Sequence, residues 1–244
     1  MIQYLIDFVI GLAIGSVAGL LGVGGGFLIV PTLTLMGLPV HQAIGTSLAC
    51  ITISSLSSAY THLKKGAVLF RVVIVKESFS VPSAVLGAYL AAMLPEGLLR
   101  GIFAFLLIYL AYTMVRRGEC SARTGTAGVR YRRVPIVGVI SGLTSGLLGI
   151  SGGVLNVPLF HTFIELPMRY AVGTSSLALF FTAFAATWAH YHLGQVRVET
   201  ALLLAPGLII GAHIGAKAAH SVSPTKLKLT FALLLILVAL KMLV

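Results

Sequence analysis

Two stretches of this chain break an apolar run with glycines and then resume: Gly19-Leu-Leu-Gly22-Val-Gly24-Gly25-Gly26-Phe-Leu-Ile-Val-Pro31 and Gly146-Leu-Leu-Gly149-Ile-Ser151-Gly152-Gly153-Val-Leu-Asn156-Val-Pro158. A helix that starts after such a break exposes unbonded N–H groups and the positive end of its dipole, and glycine lets a ligand approach them closely. The chemistry on offer is anion binding. The candidate binding residues are Gly22, Gly24, Gly25 and Gly26 in the first stretch, and Gly149, Ser151, Gly152, Gly153 and Asn156 in the second. Asn156 has no polar counterpart, because Ile29 stands at its place. The alternative use of these glycines is close helix packing.

Shortly after each break comes Gly-Thr-Ser: Thr46 and Ser47, then Thr174 and Ser175. Both motifs are expected to begin a helix. There their hydroxyls either donate to an oxyanion or serve as ordinary caps.

The ionisable candidates for proton or gating roles are His62 and His190, which close equivalent segments, and the pair His213 and Lys217, four apart on one helix face. Interfacial histidines and a snorkelling lysine are the plainer alternatives. Asp7, and Glu77 beside Lys76, read as interfacial. No nucleophile elbow, metal-ligand spacing, intramembrane carboxylate pair, dinucleotide fingerprint or phosphate loop occurs. Cys50 and Cys120 form no pattern. The expectation is therefore no catalytic residue, no metal, no cofactor and no enzyme.

The elements that must position these residues follow from composition. Of 244 residues, 58% are hydrophobic and 9% charged, too apolar a balance for one soluble core. Several uncharged stretches approach the roughly 20 residues that cross a bilayer. Backbone groups in lipid must bond within their own segment, so the fold class is an all-α polytopic membrane protein. The formal charge of +11 comes from Lys and Arg in short segments between spans, which argues for topology and against nucleic acid. The segment Met1–Asp7 lacks the features of a signal peptide and reads as the start of the first span.

The chain repeats itself. Gly19 and Gly146 are offset by 127, as are Pro31 and Pro158; Gly45/Gly173, His62/His190, Gly66/Gly194 and Gly87/Gly215 are offset by 128. This gives a first repeat over 1–116, a basic cytoplasmic linker over 117–133 and a second repeat over 134–244. Each repeat holds a glycine-broken pair of segments and three transmembrane helices. The run after each break has about 12 residues, roughly 18 Å at 1.5 Å per residue, so it is a half-helix or re-entrant. With the linker inside, 14 of the 17 Lys and Arg fall on the inner side, and equivalent loops swap charge between halves. That pattern predicts inverted repeats with both termini outside.

Taken together, Gly-Leu-Leu-Gly-Val-Gly-Gly-Gly-Phe…Val-Pro with Ala43-Ile-Gly-Thr-Ser47, repeated as Gly-Leu-Leu-Gly-Ile-Ser-Gly-Gly…Asn-Val-Pro with Ala171-Val-Gly-Thr-Ser175, resembles the sulfite exporter TauE/SafE family of bacterial membrane permeases. The likeness covers essentially the whole chain. It implies a multi-pass protein of the bacterial inner membrane that exports sulfite or a small organosulfonate. The expected reading is a secondary transporter working by alternating access, with a passive anion channel, or an uptake permease for another sulfur-containing anion, as alternatives. The expected partners are a small anionic substrate and the lipid bilayer, with a homodimer left open.

Overall fold

The computed structural model describes residues 2–21, 26–116, 130–150, 152–218 and 224–243. They form ten α-helices: α1 (Ile2–Leu21), α2 (Gly26–Leu35), α3 (Val40–Lys64), α4 (Phe70–Met93), α5 (Glu96–Arg116), α6 (Val134–Leu148), α7 (Gly152–Thr162), α8 (Met168–His192), α9 (Val198–Ala218) and α10 (Pro224–Leu243). Three of them, α3, α4 and α8, are long and apolar enough to cross a membrane by length and composition. Their outer faces carry bulky apolar side chains, with Met93 82%, Ile74 66% and Trp188 59% exposed, which suits contact with lipid. The chain is a polytopic all-helical membrane protein.

Helices α3 and α8 are capped alike. Helices α3 and α8 both start after an extended proline, Pro39 and Pro167. Both end at a glycine in the left-handed region, Gly66 and Gly194. At these ends Ala67 N–H bonds to the His62 carbonyl and Gln195 N–H to the His190 carbonyl, the i−5 bond of a Schellman turn. Both helices start earlier than expected, so Gly45-Thr46-Ser47 and Gly173-Thr174-Ser175 lie one to two turns inside the helix and not at its cap.

Packing pairs a helix of one half with a helix of the other. Helix α1 packs on α9, α4 on α6, α3 on α8 and α5 on α10. Small residues set the first two seams. A Cβ at Gly11 or Gly15 would collide with the backbone of Leu204 or Leu208, and one at Gly207 or Gly211 with that of Phe8 or Leu12. Residue numbers rise together along both helices, so α1 and α9 run parallel. The same holds for α4 and α6, where Gly138 abuts Lys76 and Gly146 abuts Ala84. By contrast α3 and α8 cross antiparallel: Gly45 lies on Gln195, Thr52 Oγ1 is 3.3 Å from Thr187 Oγ1, Ser58 donates to Ser176 across 3.2 Å, and Gly173 lies on Ala67.

The short helix α7 folds back. Arg130 N–H donates to the Ile164 carbonyl and the Arg133 guanidinium to that of Phe163, so α7 returns to the end of the bundle where α6 begins. Val134, Phe160, Ile164 and Leu166 share one apolar cluster there with Val72 and Ala171. At 11 and 10 residues, α7 and α2 reach only about 15 Å.

Candidate functional site

The two glycine stretches meet at one hydroxyl. Ser47 Oγ lies 3.0 Å from the Gly149 carbonyl and 3.3 Å from that of Gly26, and it is fully buried. Gly149 ends α6 at φ 65°, a conformation that costs glycine little, and a Cβ there would also press on Ile44 at 2.8 Å. The break in the second half therefore abuts the start of α2 in the first. Gly22, Gly24, Gly25 and Ser151 lie outside the described residues, while Gly152 and Gly153 open α7.

The threonines do the same job twice. Arg197 N–H donates to Thr46 Oγ1 across 3.0 Å, and Leu69 N–H donates to Thr174 Oγ1 across 3.1 Å. Each threonine thus accepts the N–H at the start of the other half's fourth helix, and the preceding Gly45 or Gly173 lets that turn come close.

The serines differ. Ser47 is bonded, whereas Ser175 Oγ is buried with no partner. Asn156 is also fully buried, and neither Oδ1 nor Nδ2 has a partner. A polar group left unbonded in the interior costs about 1–3 kcal/mol, and folded chains seldom carry one without a use. Asn156 lies in the second turn of α7, which packs on the helix that carries Ser175. Helix α7 begins with glycines and has unpaired amides at its N-terminus.

The histidines part company as well. His190 is fully buried; its Nε2–H donates to the Gly146 carbonyl at 2.9 Å, and its Nδ1 lies 2.6 Å from Gln195 Oε1. His62 is half-buried. His213 is exposed on α9, and the side chain of Lys217 lies outside the described residues, as does that of Asp7. A cavity of about 280 Å³ between α3, α8 and α9 is walled by Ala49, Ile53, Phe184, Trp188 and Leu202 among others, a lining that does not suit an anion.

The whole-chain pattern has a match. The sequence profile of the family described as sulfite exporter TauE/SafE covers residues 7–242. The chain belongs to this family. It is 30% identical over 258 residues to a probable membrane transporter protein of Haemophilus influenzae, covering 98% of this chain and 97% of that one. It is 28% identical over 210 residues to the probable membrane transporter protein YdhB of Bacillus subtilis, covering 84% and 85%. A probable membrane transporter protein of Methanocaldococcus jannaschii is 27% identical, covering 91% and 88%. No solved structure matches this chain. The TauE/SafE family is one of membrane transporters and not of enzymes, and this member is a multi-pass protein of the inner membrane.

In this TauE/SafE protein the structure also shows a cluster that sequence reasoning misplaced. Lys76 and Glu77 do not reach out to water: they are 0% and 8% exposed. Lys76 Nζ donates to Glu77 Oε1 at 2.8 Å, Ser80 Oγ at 2.9 Å and Thr182 Oγ1 at 3.0 Å. The Thr182 hydroxyl donates to Glu77 Oε2 at 2.7 Å. The i,i+4 spacing of Lys76 and Ser80 was a local signal, but Thr182 comes from α8 of the other half, which no local pattern could supply.

Proposed function

We propose that this protein is a secondary transporter that exports a small anion, sulfite or a small organosulfonate, by alternating access. The observation that carries the reading is Asn156: a fully buried amide with both polar atoms unpartnered, one turn into a helix that opens with Gly152 and Gly153. An anion at that helix start would receive backbone N–H groups and the Asn156 amide, and the Ser175 hydroxyl on the neighbouring helix is a further donor without a partner. The glycine breaks of both halves, Gly22–Gly26 and Gly149–Gly153, with Thr46, Ser47 and Thr174 as their scaffold, frame the substrate path.

Inverted repeats are the topology we infer. Counterpart helices related by an axis in the membrane plane run antiparallel, and the crossing of α3 and α8 supports that axis. The fold-back of α7 toward the start of α6 supports a re-entrant segment. Because α4 packs on α6 and α8, and α9 on α1 and α3, the bodies that rock are α1–α3 with α9 and α6–α8 with α4, sliding at the α3–α8 seam.

The test is flux of labelled sulfite in proteoliposomes, comparing the native protein with Gly25→Leu, Gly152→Leu and Asn156→Leu. Normal flux in all three folded variants sinks the site. A passive channel would instead give current that scales with potential at rates above about 10⁵ per second, beyond the reach of μs–ms conformational steps.

A further inference from the structure

The repeat supplies an internal control for the Lys76 cluster. At the 128-residue offset, Lys76, Glu77 and Ser80 correspond to Leu204, Ala205 and Leu208, all of them buried. The same position in the same fold is therefore packed with apolar side chains in one half and holds an ion pair in the other. Packing does not require the charges. Neither does stability, since a buried ion pair is often no better than well-packed apolar residues of similar volume. An ionisable pair that the fold can do without, placed inside a membrane transporter, marks a functional site.

We propose that Lys76–Glu77 is the coupling site of the transporter, binding one proton for each anion carried; the proposal rests on the anion-transport reading above. The network says how. Glu77 is the acid: its carboxylate accepts from Lys76 and Thr182, and a proton taken from the aqueous phase onto Glu77 converts it to the neutral acid. Lys76 is then a buried cation without a counter-charge, which a bound anion compensates. Proton and anion thus favour each other's binding and cross together, outward movement being driven by the anion's own gradient; when the anion leaves, the proton returns to water and the pair re-forms.

Position links the two sites. Thr182, which bridges both charged groups, lies seven residues along α8 from Ser175, and so shares its helix face about two turns away. At the equivalent positions the opposite half has only the apolar Leu204, Ala205 and Leu208. Other ionisable groups stand elsewhere. Helix α6, packed on α4, has none between Val134 and Leu148. On α8, Arg169 donates to the Lys65 carbonyl and His190 is held by Gly146, while Tyr170, Tyr191 and His192 flank the helix ends. On α4, Arg71 lies over the Tyr131 ring.

The experiment uses proteoliposomes loaded with a fluorescent pH indicator, with sulfite and methanesulfonate as probes. The sulfonate has no titratable proton in the working range, so any proton movement belongs to the protein. In the native protein, an imposed anion gradient is expected to drive protons along with the anion. Glu77→Gln should cut proton movement at least tenfold and flatten the pH profile of transport. The double variant Lys76→Met, Glu77→Leu, which copies the apolar packing of the other half, guards against simple misfolding and should also lose the pH dependence. Anion flux without proton movement in the native protein overturns the coupling while leaving transport intact. A double variant that keeps native proton flux and pH dependence does so as well. Absence of flux for both probes in the native protein overturns the transport reading and the coupling with it.

Discussion

The Ser47 hydroxyl sits 3.0 Å from the carbonyl of Gly149, so the second turn of α3 in one half is tied to the glycine break of the other. Ser47→Ala removes that bond and the one toward Gly26 while leaving their carbonyls buried. The expected loss is about 1 kcal/mol, or a melting midpoint lower by about 3 °C, as read by thermal denaturation in detergent.

Asn156→Leu should separate stability from function. The substitution replaces an unbonded buried amide with an apolar side chain of similar size, and the gain is expected to be about 1–2 kcal/mol in thermal denaturation. Anion flux should fall at least tenfold. A variant that is both less stable and fully active would show that the amide serves only packing.

The glycine seam gives a contrast within one residue type. Gly146→Val would drive side-chain atoms into the Ala84 carbonyl and should cost about 3 kcal/mol, seen as aggregation in size-exclusion chromatography. Gly97→Ala, at a position in α5 with nothing within 4 Å, should be tolerated or slightly stabilising, by up to about 1 kcal/mol.

Breaking the buried pair should be worse than removing it. Lys76→Met alone strands the Glu77 carboxylate and should cost about 3–5 kcal/mol, whereas Lys76→Met with Glu77→Leu should regain most of that loss. A double-mutant cycle of melting midpoints measures the difference.

Topology is open to labelling. With Cys50 and Cys120 replaced by alanine, cysteines at Lys65 and Leu193, which follow counterpart helices, should react with an impermeant reagent from opposite faces of the membrane. Labelling from the same face would contradict the inverted arrangement.

Much of this was legible in the sequence, for physical reasons that act locally. Apolar runs in a bilayer must be helical, and a 127- to 128-residue offset that matches Pro31 to Pro158 and Gly45 to Gly173 must build each half alike. The short runs after the breaks were readable from their length, and the helix ends at His62 and His190 from the glycines that follow. The membership of the family was legible in the same motifs.

What only tertiary structure decided is which groups find partners. Thr46 and Thr174 looked like donors to a ligand, yet each accepts the N–H of a turn in the opposite half, some 105 to 151 residues away. Ser47 and Ser175 are equivalent in sequence, but one is bonded to a carbonyl and the other has no partner. Lys76 looked interfacial because a charge near a helix start ordinarily reaches water; it is buried because Glu77, Ser80 and Thr182 together satisfy all three of its donors. Hydrogen-bond satisfaction is a property of where distant helices meet, so composition and spacing fix the helices, and the packing of one half into the other fixes the site.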